Sequence, residues 1–191
     1  GAIGYAHGFF NLEFFYDDQA DCLRVIECNP RLASQFSDLY ERVHGVDAHG
    51  MALALALVAN PQSLPLRRPS AQAAASLVYR AFDATGAVPP APTAWQREDL
   101  ARKFADALLF CFQKRGRSLA RDFHWTGSHR YGIVHLGARD REHLRQRCED
   151  ASALLGWPAP YLDHDPLPNR VHAARPCFAP LDEPSAETSA V

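Results

Sequence analysis

The sequence has no apolar stretch long enough to cross a bilayer and no strong excess of charge of either sign. A spanning helix needs about 18 or more consecutive apolar residues, and no run in this chain reaches that length. The formal net charge of −2 gives no electrostatic reason for nucleic acid or an anionic membrane to be the main partner. With 47% hydrophobic and 22% charged residues, the 191-residue chain has an ordinary globular composition. We expect a soluble, cytoplasmic protein without a nucleic-acid or membrane partner.

Cysteines at metal or redox spacing are also lacking. The five cysteines are scattered and include no C-x-x-C pair, which favours the reduced thiols of a cytosol over a disulfide framework. A Walker A loop and a G-x-S-x-G nucleophile motif are absent. The chain also lacks a starting methionine and enters an apolar, strand-like run within a few residues. We therefore expect it to be the C-terminal piece of a longer protein.

Hydrophobic patterning predicts a first unit over residues 1–60. The segments 8–16 and 22–29 are rich in aromatic and β-branched residues and are joined by the turn formers "DDQAD", which predicts a β-hairpin. A short amphipathic helix follows from Ser34 and stops at Gly45. Its predicted apolar face consists of Phe36, Leu39, Tyr40 and Val43. Asp47 then looks like the N-cap of a second helix, which we expect to be buried because it is rich in alanine and leucine.

Beyond this unit, the proline-rich residues 61–70 predict a linker to a small C-terminal domain over 71–157. We predict strands at 73–82, 107–112 and 130–137, one helix that follows Thr93, and a second that is capped by Asp140 and closed by Gly156. The second helix has Leu144, Cys148, Ala151 and Leu155 on its apolar face. The chain is therefore predicted to be α+β, with an α/β-type order in the second domain. Recurrent prolines and a polar end predict a disordered tail over 158–191.

The hairpin contains two carboxylates in otherwise apolar strands. If the turn is centred near Ala20, Glu13 lies directly across from Glu27, and Asn29 shares their face. Leu12, Phe14, Ile26 and Cys28 then point the other way, into a core. Cross-strand carboxylates about 5 Å apart repel by roughly 3 kcal/mol at an effective dielectric constant near 20. Either both glutamates lie on a solvated sheet face, or a shared proton or a nearby cation relieves the repulsion.

A hard divalent cation suits two carboxylates and an amide oxygen. Mg²⁺ is the natural candidate, with Mn²⁺ as an alternative, because it commonly takes one or two carboxylates together with substrate phosphates. Arg31 follows two residues after Asn29 and could clamp an anion at the same site. The residues thus predict a metal site formed by Glu13, Glu27 and Asn29, without excluding the solvated alternative.

This stretch resembles the C-terminal metal-binding hairpin of the ATP-grasp superfamily. The likeness rests on an acidic residue in an aromatic strand, an acidic turn, and then "VIECNPR", and it covers about residues 4–60. Within this superfamily, the stretch is similar to ligases of the biotin carboxylase and carboxylate-amine ligase kinds. The resemblance implies that Glu13, Glu27 and Asn29 hold the Mg²⁺ ions that bridge the ATP phosphates. It also implies that Arg31 acts in catalysis by contacting the transferring phosphate or acyl phosphate.

By the same resemblance, the chain belongs to an ATP-dependent ligase that activates a small carboxylate substrate and joins it to an amine or similar nucleophile. The nucleotide pocket and its lysines would lie in a missing N-terminal part, since this chain has only Lys103 and Lys114, both well downstream. The isolated chain should then be inactive. "LASQF" after Arg31 departs from the glycines that many such ligases place there, so the resemblance does not identify the substrate. A homodimer is left open.

Two other interpretations remain open. The chain could be a noncatalytic binding or regulatory domain with a degenerate ATP-grasp fold. Histidines at 124, 129 and 164 lack the spacing of a known metal motif, so we expect them to be surface or structural residues. Arginines at 115, 117 and 121 either bind a phosphate or substrate carboxylate in the assembled enzyme or are surface bases.

Overall fold

The computed structural model describes residues 4, 8–17, 19–57, 59–82, 88–113, 127–160 and 175–176. Within them the strands are β1 (Asn11–Asp17), β2 (Cys22–Asn29), β3 (Ala73–Ala81), β4 (Leu108–Cys111), β5 (His129–Ala138) and β6 (Arg175–Pro176). The helices are α1 (Ser34–His44), α2 (Ala48–Ala56), α3 (Ala94–Lys103) and α4 (Arg141–Leu155). Helices combined with antiparallel strand pairs fit the predicted α+β class.

The described residues form two compact units. One lies within Gly1–Gly8 and Leu32–His164, and the other within Phe9–Arg31 and Asp165–Val191. The second unit contains a sheet in the order β1-β2-β6, in which β1 and β2 form the predicted antiparallel hairpin and β6 adds a short parallel pairing to β2.

The first unit is built on an antiparallel sheet in the order β3-β5-β4. The central strand β5 is buried along almost its whole length, because sheet neighbours lie on both sides and helices contact it. Its Val134 and Leu136 pack with Tyr79 of β3 and with Ala151 and Leu155 of α4; Leu100, Phe104, Tyr131 and Trp157 complete the core. The predicted apolar face of α4 is thus confirmed.

Local capping chemistry places the helix ends where the sequence predicts them. The side chains of Asp47, Thr93 and Asp140 each accept a hydrogen bond from a backbone amide in the first turn of α2, α3 and α4, respectively. Gly45 and Gly156 end α1 and α4 in the left-handed conformation, with φ of 71° and 67°. These five residues act over one helical turn, which explains why sequence alone located them.

The predicted apolar face of α1 is only partly buried. Phe36 and Tyr40 remain 43% and 44% exposed, whereas Ser37 and Arg42 are buried. The guanidinium of Arg42 donates hydrogen bonds to the carboxylates of Asp38 and Asp106, so the polar side of the helix packs inward. The helix forms as predicted, and Leu39 and Val43 of its predicted apolar face are half-buried. Its polar side also packs inward, because ion pairing can replace apolar burial where charged partners converge.

The expectation that α2 is buried is only partly met. Ala48 and Ala54 are buried, whereas Leu53 is 61% exposed. Residues 61–70, predicted to be a linker, are tied to the α1 region because the amides of Arg67 and Ser70 donate to the carbonyls of Gly45 and Arg42, at 2.8 Å each.

Cysteine chemistry differs from the prediction at one position. Cys28, Cys111 and Cys148 are free thiols. Cys22, at the start of β2, is disulfide-bonded, so the expectation of reduced thiols throughout is wrong there.

Within the described parts of the chain, no helix has the length and apolar character that a membrane crossing requires.

Candidate metal centre

The turn of the hairpin is stabilised by its own acidic residues. Asp17 Oδ1 accepts hydrogen bonds from the amides of Gln19 and Ala20, at 3.2 and 3.1 Å. The hydroxyl of Tyr16 donates to Asp21 Oδ1 at 2.7 Å, and Asp21 adopts a positive φ of 48°. Aspartates commonly close turns in this way. Hydrogen bonds within the turn therefore explain Asp17 and Asp21, but they do not explain the strand carboxylates Glu13 and Glu27.

Glu13 lies directly opposite Glu27 in the β1–β2 register, as the sequence predicts. The register shifts by one residue between Glu13 and Phe14, so that Phe14 pairs with Val25 and Ile26 has no register partner. An extra residue on one strand is a β-bulge, a feature that re-aims side chains near functional sites. The Glu13–Glu27 pair keeps the predicted register because it lies on the far side of the bulge from the turn, whereas the pairs nearer the turn are shifted by one residue.

Asn29 completes the group that the sequence predicted. Its amide nitrogen Nδ2 donates to Glu27 Oε1 at 2.8 Å and to Glu13 Oε1 at 3.3 Å. Glu13 and Glu27 are exposed and Asn29 is half-buried. One amide thus reaches both carboxylates, and the three side chains form a single polar cluster.

Arg31 follows in a tight turn in which its amide donates to the Asn29 carbonyl at 2.8 Å. This bond holds the start of "NPR" against the end of β2. The side chain of Arg31 is exposed, as a group that meets a ligand from solvent must be.

The opposite face of the hairpin is not buried as predicted. Leu12 and Phe14 are 41% and 43% exposed, Ile26 is 63% exposed, and Cys28 is exposed too. Sequence alternation predicts which side chains share a face, but not what covers that face. The expectation of a core beneath the carboxylates is therefore wrong within the described part of the chain.

The donor set fits a hard divalent cation. The carboxylates of Glu13 and Glu27 are ligands that Mg²⁺ and Ca²⁺ accept, and their exposure gives an ion access from solvent. The Asn29 amide would add an oxygen ligand only if Oδ1 took the place of Nδ2. Across the residues that the structure describes, no group of three or more His, Cys, Asp and Glu side chains could hold a metal. Since Mg²⁺ takes about six ligands, a site with the three hairpin side chains would leave coordination positions for water or phosphate.

Sequence reasoning missed a second polar cluster, in the first unit, centred on Arg42 of α1. Its Nε donates to Asp38 Oδ2 at 2.6 Å, and its two terminal nitrogens donate to the carboxylate and backbone oxygen of Asp106, at 2.9 and 2.6 Å. Arg147 of α4 also bonds Asp106. Burial alone would raise the pKa of Asp106, but the hydrogen bonds from Arg147 and from the Gly137 amide hold it below its ordinary value.

His135 of β5 joins this cluster, with Nδ1 3.2 Å from Asp38 Oδ2. Burial lowers the pKa of His135, and Arg42 lowers it further, although Asp38 favours the charged form. The i, i+4 spacing of Asp38 and Arg42 is a signal that the sequence contains. No local sequence pattern identifies Asp106 or Arg147 as their partners, because the tertiary fold brings these two residues into contact with the cluster.

The structure describes only some of the remaining candidates. Lys103 pairs with Asp150 at 2.9 Å. His129 is buried, whereas His124, residues 163–165, the arginines at 115–121 and Lys114 lie outside the described residues. The predicted tail over 158–191 also lies almost wholly outside them.

Comparison with known proteins identifies no relative. No family model, no curated protein and no solved structure matches this chain.

Proposed function

We propose that this chain is the metal-binding, C-terminal part of a Mg²⁺-dependent ligase of the ATP-grasp kind. The observation that carries the proposal is the direct pairing of Glu13 with Glu27, with the Asn29 amide in contact with both. A sheet that served only as a scaffold would gain nothing from opposing like charges, which destabilise a strand pair. The pairing and the "NPR" that follows support the functional interpretation.

Glu13 and Glu27 would hold the cation through carboxylate oxygens, and Asn29 through Oδ1. When bound, Mg²⁺ supplies charge neutralisation at the ATP phosphates. Both glutamates serve as ionised ligands and not as general acids. The exposed Arg31 would orient the transferring phosphoryl group by donating to its oxygens, as a planar guanidinium does well.

The reaction proposed for the complete enzyme has two steps. A carboxylate oxygen of the substrate attacks the terminal phosphorus of ATP, which forms an acyl phosphate and releases ADP. An amine or similar nucleophile then attacks the acyl carbon, forms the new bond and releases inorganic phosphate. Arg31 would balance the charge on the phosphoryl group in both steps, so the chain contributes mainly positioning and electrostatics.

The rest of the nucleotide site would come from another polypeptide segment, proposed to be the N-terminal part of the same polypeptide. The exposed large apolar side chains of the hairpin support this, because exposed apolar surface is a common feature of interaction sites. These side chains are Leu12, Phe14, Val25 and Ile26, and Phe10 and Phe15 are exposed as well.

The decisive variant is Glu27→Ala in the complete parent enzyme. Loss of one of two carboxylate ligands should reduce ATP-dependent ligation at saturating substrate by at least about 100-fold, because outer partners of a metal site alone are worth 10- to 100-fold. Glu98→Ala is the matched control, since Glu98 is an exposed glutamate on α3. Near wild-type turnover by Glu27→Ala would contradict the proposal.

Magnesium titration of nucleotide binding separates the enzyme from the noncatalytic alternative. The enzyme should bind ATP in a Mg²⁺-dependent manner at full length, whereas a degenerate domain should show no such dependence. The 191-residue chain alone should not hydrolyse ATP, and measurable hydrolysis by the purified chain would show that it needs no other segment.

A further inference from the structure

Asn29 occupies the site in an orientation that cannot ligate a metal. Its Nδ2, not its Oδ1, points at Glu13 and Glu27, at 3.3 and 2.8 Å. The NH₂ group has two hydrogens, one for each carboxylate. Because an amide nitrogen offers no lone pair to a cation, the observed arrangement is a bridge between two anions.

This bridge relieves the repulsion that the register creates. Glu13 and Glu27 are direct cross-strand partners, and like charges in that position are destabilising. A hydrogen bond to an ionised carboxylate is stronger than one between neutral groups. Asn29 therefore stabilises the hairpin in the absence of any cation.

Resting on the function proposed above, we infer that Asn29 is a reversible positioning residue. With no cation bound, Nδ2 bridges Glu13 and Glu27 and keeps them together. A divalent cation would be held by the carboxylates of Glu13 and Glu27, and Asn29 would then offer it Oδ1 in place of the Nδ2 bridge. Asparagine suits both states because its short side chain is uncharged, with a donor and an acceptor on one carbon.

Two substitutions at this position separate the two states. Asn29→Asp removes the donors but keeps an oxygen at the place of Oδ1, so it loses the bridge and retains a metal ligand. Asn29→Ala removes both. Asn11 provides the matched control, since it is the cross-strand partner of Asn29 in the register and makes no bond to either glutamate.

The test uses the full 191-residue chain and MgCl₂ as the only added ligand. Exchange of the hairpin backbone amides is measured by NMR, first in EDTA and then during a MgCl₂ titration. In EDTA, Asn29→Asp and Asn29→Ala should both exchange roughly fivefold faster than wild type, the effect of losing one net hydrogen bond. Asn11→Ala should exchange like wild type.

Addition of MgCl₂ should restore protection in Asn29→Asp but not in Asn29→Ala. In wild type, the side-chain NH₂ signals of Asn29 should shift with saturation, and those of Asn11 should not. If Asn29→Asp exchanges as slowly as wild type in EDTA, the bridge is refuted. If wild type and Asn29→Asp do not respond to MgCl₂, the reversal is refuted, whereas the ligation assay on the parent enzyme judges the proposed function independently.

Discussion

His135 shows how a single residue can couple stability to pH. It is buried in β5 beside Asp38, and its pKa lies below the ordinary value because burial disfavours the imidazolium. Phe110 packs edge-on against its ring, with centroids 5.4 Å apart, which adds apolar surroundings. The native state therefore binds the proton more weakly than the unfolded chain does.

This difference sets the direction of a pH effect. As pH falls below about 6.5, the unfolded chain takes up a proton that native His135 resists, so the free energy of unfolding should fall by at most about 1.4 kcal/mol per pH unit. His135→Asn should remove this component. Urea unfolding between pH 7 and pH 5 measures the slope of the free energy of unfolding against pH in both proteins. Asp106 does not interfere, because its lowered pKa lies below this pH range. Equal slopes in the two proteins would contradict the assignment.

At the scale of elements, α1 is attached to its sheet by charge as well as by packing. Arg42, only 8% exposed, joins Asp38 of its own helix to Asp106 in the turn before β4. Gln35 adds a 3.0 Å hydrogen bond to Ser76 of β3. An ion pair so enclosed is costly to break, because removal of one partner leaves the other poorly solvated.

Arg42→Met should therefore lower the free energy of unfolding by roughly 2 kcal/mol. This is less than the loss for a fully buried pair, because Asp106 keeps Arg147. Arg102→Met is the matched control, since Arg102 also pairs with an aspartate, Asp99, but is mostly exposed. Its loss should be below about 1 kcal/mol. Equal effects in urea unfolding would show that enclosure of Arg42 is unimportant.

At the scale of the whole molecule, the described residues include many large apolar side chains that are exposed to solvent. The hairpin leaves large side chains exposed on both strands, and α1 and α2 expose Phe36, Tyr40 and Leu53. Isolated exposed apolar residues are common, but extended patches mark interfaces or promote association. The chain on its own should therefore be prone to self-association.

The double variant Leu12→Thr with Phe14→Thr should reduce this tendency while it preserves strand propensity. We expect binding of a hydrophobic dye to fall by roughly twofold and the mean mass from light scattering to move toward that of the monomer. Leu66→Thr is the control, because Leu66 is 71% exposed but lies outside the sheet. An equal effect of the control would show that the hairpin surface has no special role.

Much of this fold follows from local rules in the sequence. The helix caps at Asp47, Thr93 and Asp140 were predictable because a capping side chain bonds amides within one turn. The pairing of Glu13 with Glu27 was predictable from turn position and alternation, although a bulge that the sequence did not signal adjusts the register. The Asn29 bridge was not predictable, since it depends on which end of an amide faces two carboxylates.

The sequence by itself determined most of the elements, the helix caps and the pairing of Glu13 with Glu27, because propensity, capping and alternation act between near neighbours. Only the tertiary structure decided that α1 turns its polar side inward and that the face behind the carboxylates stays exposed. Burial depends on which distant segments meet a surface. The partners of Arg42 are an example, since Asp106 lies 64 residues away along the chain.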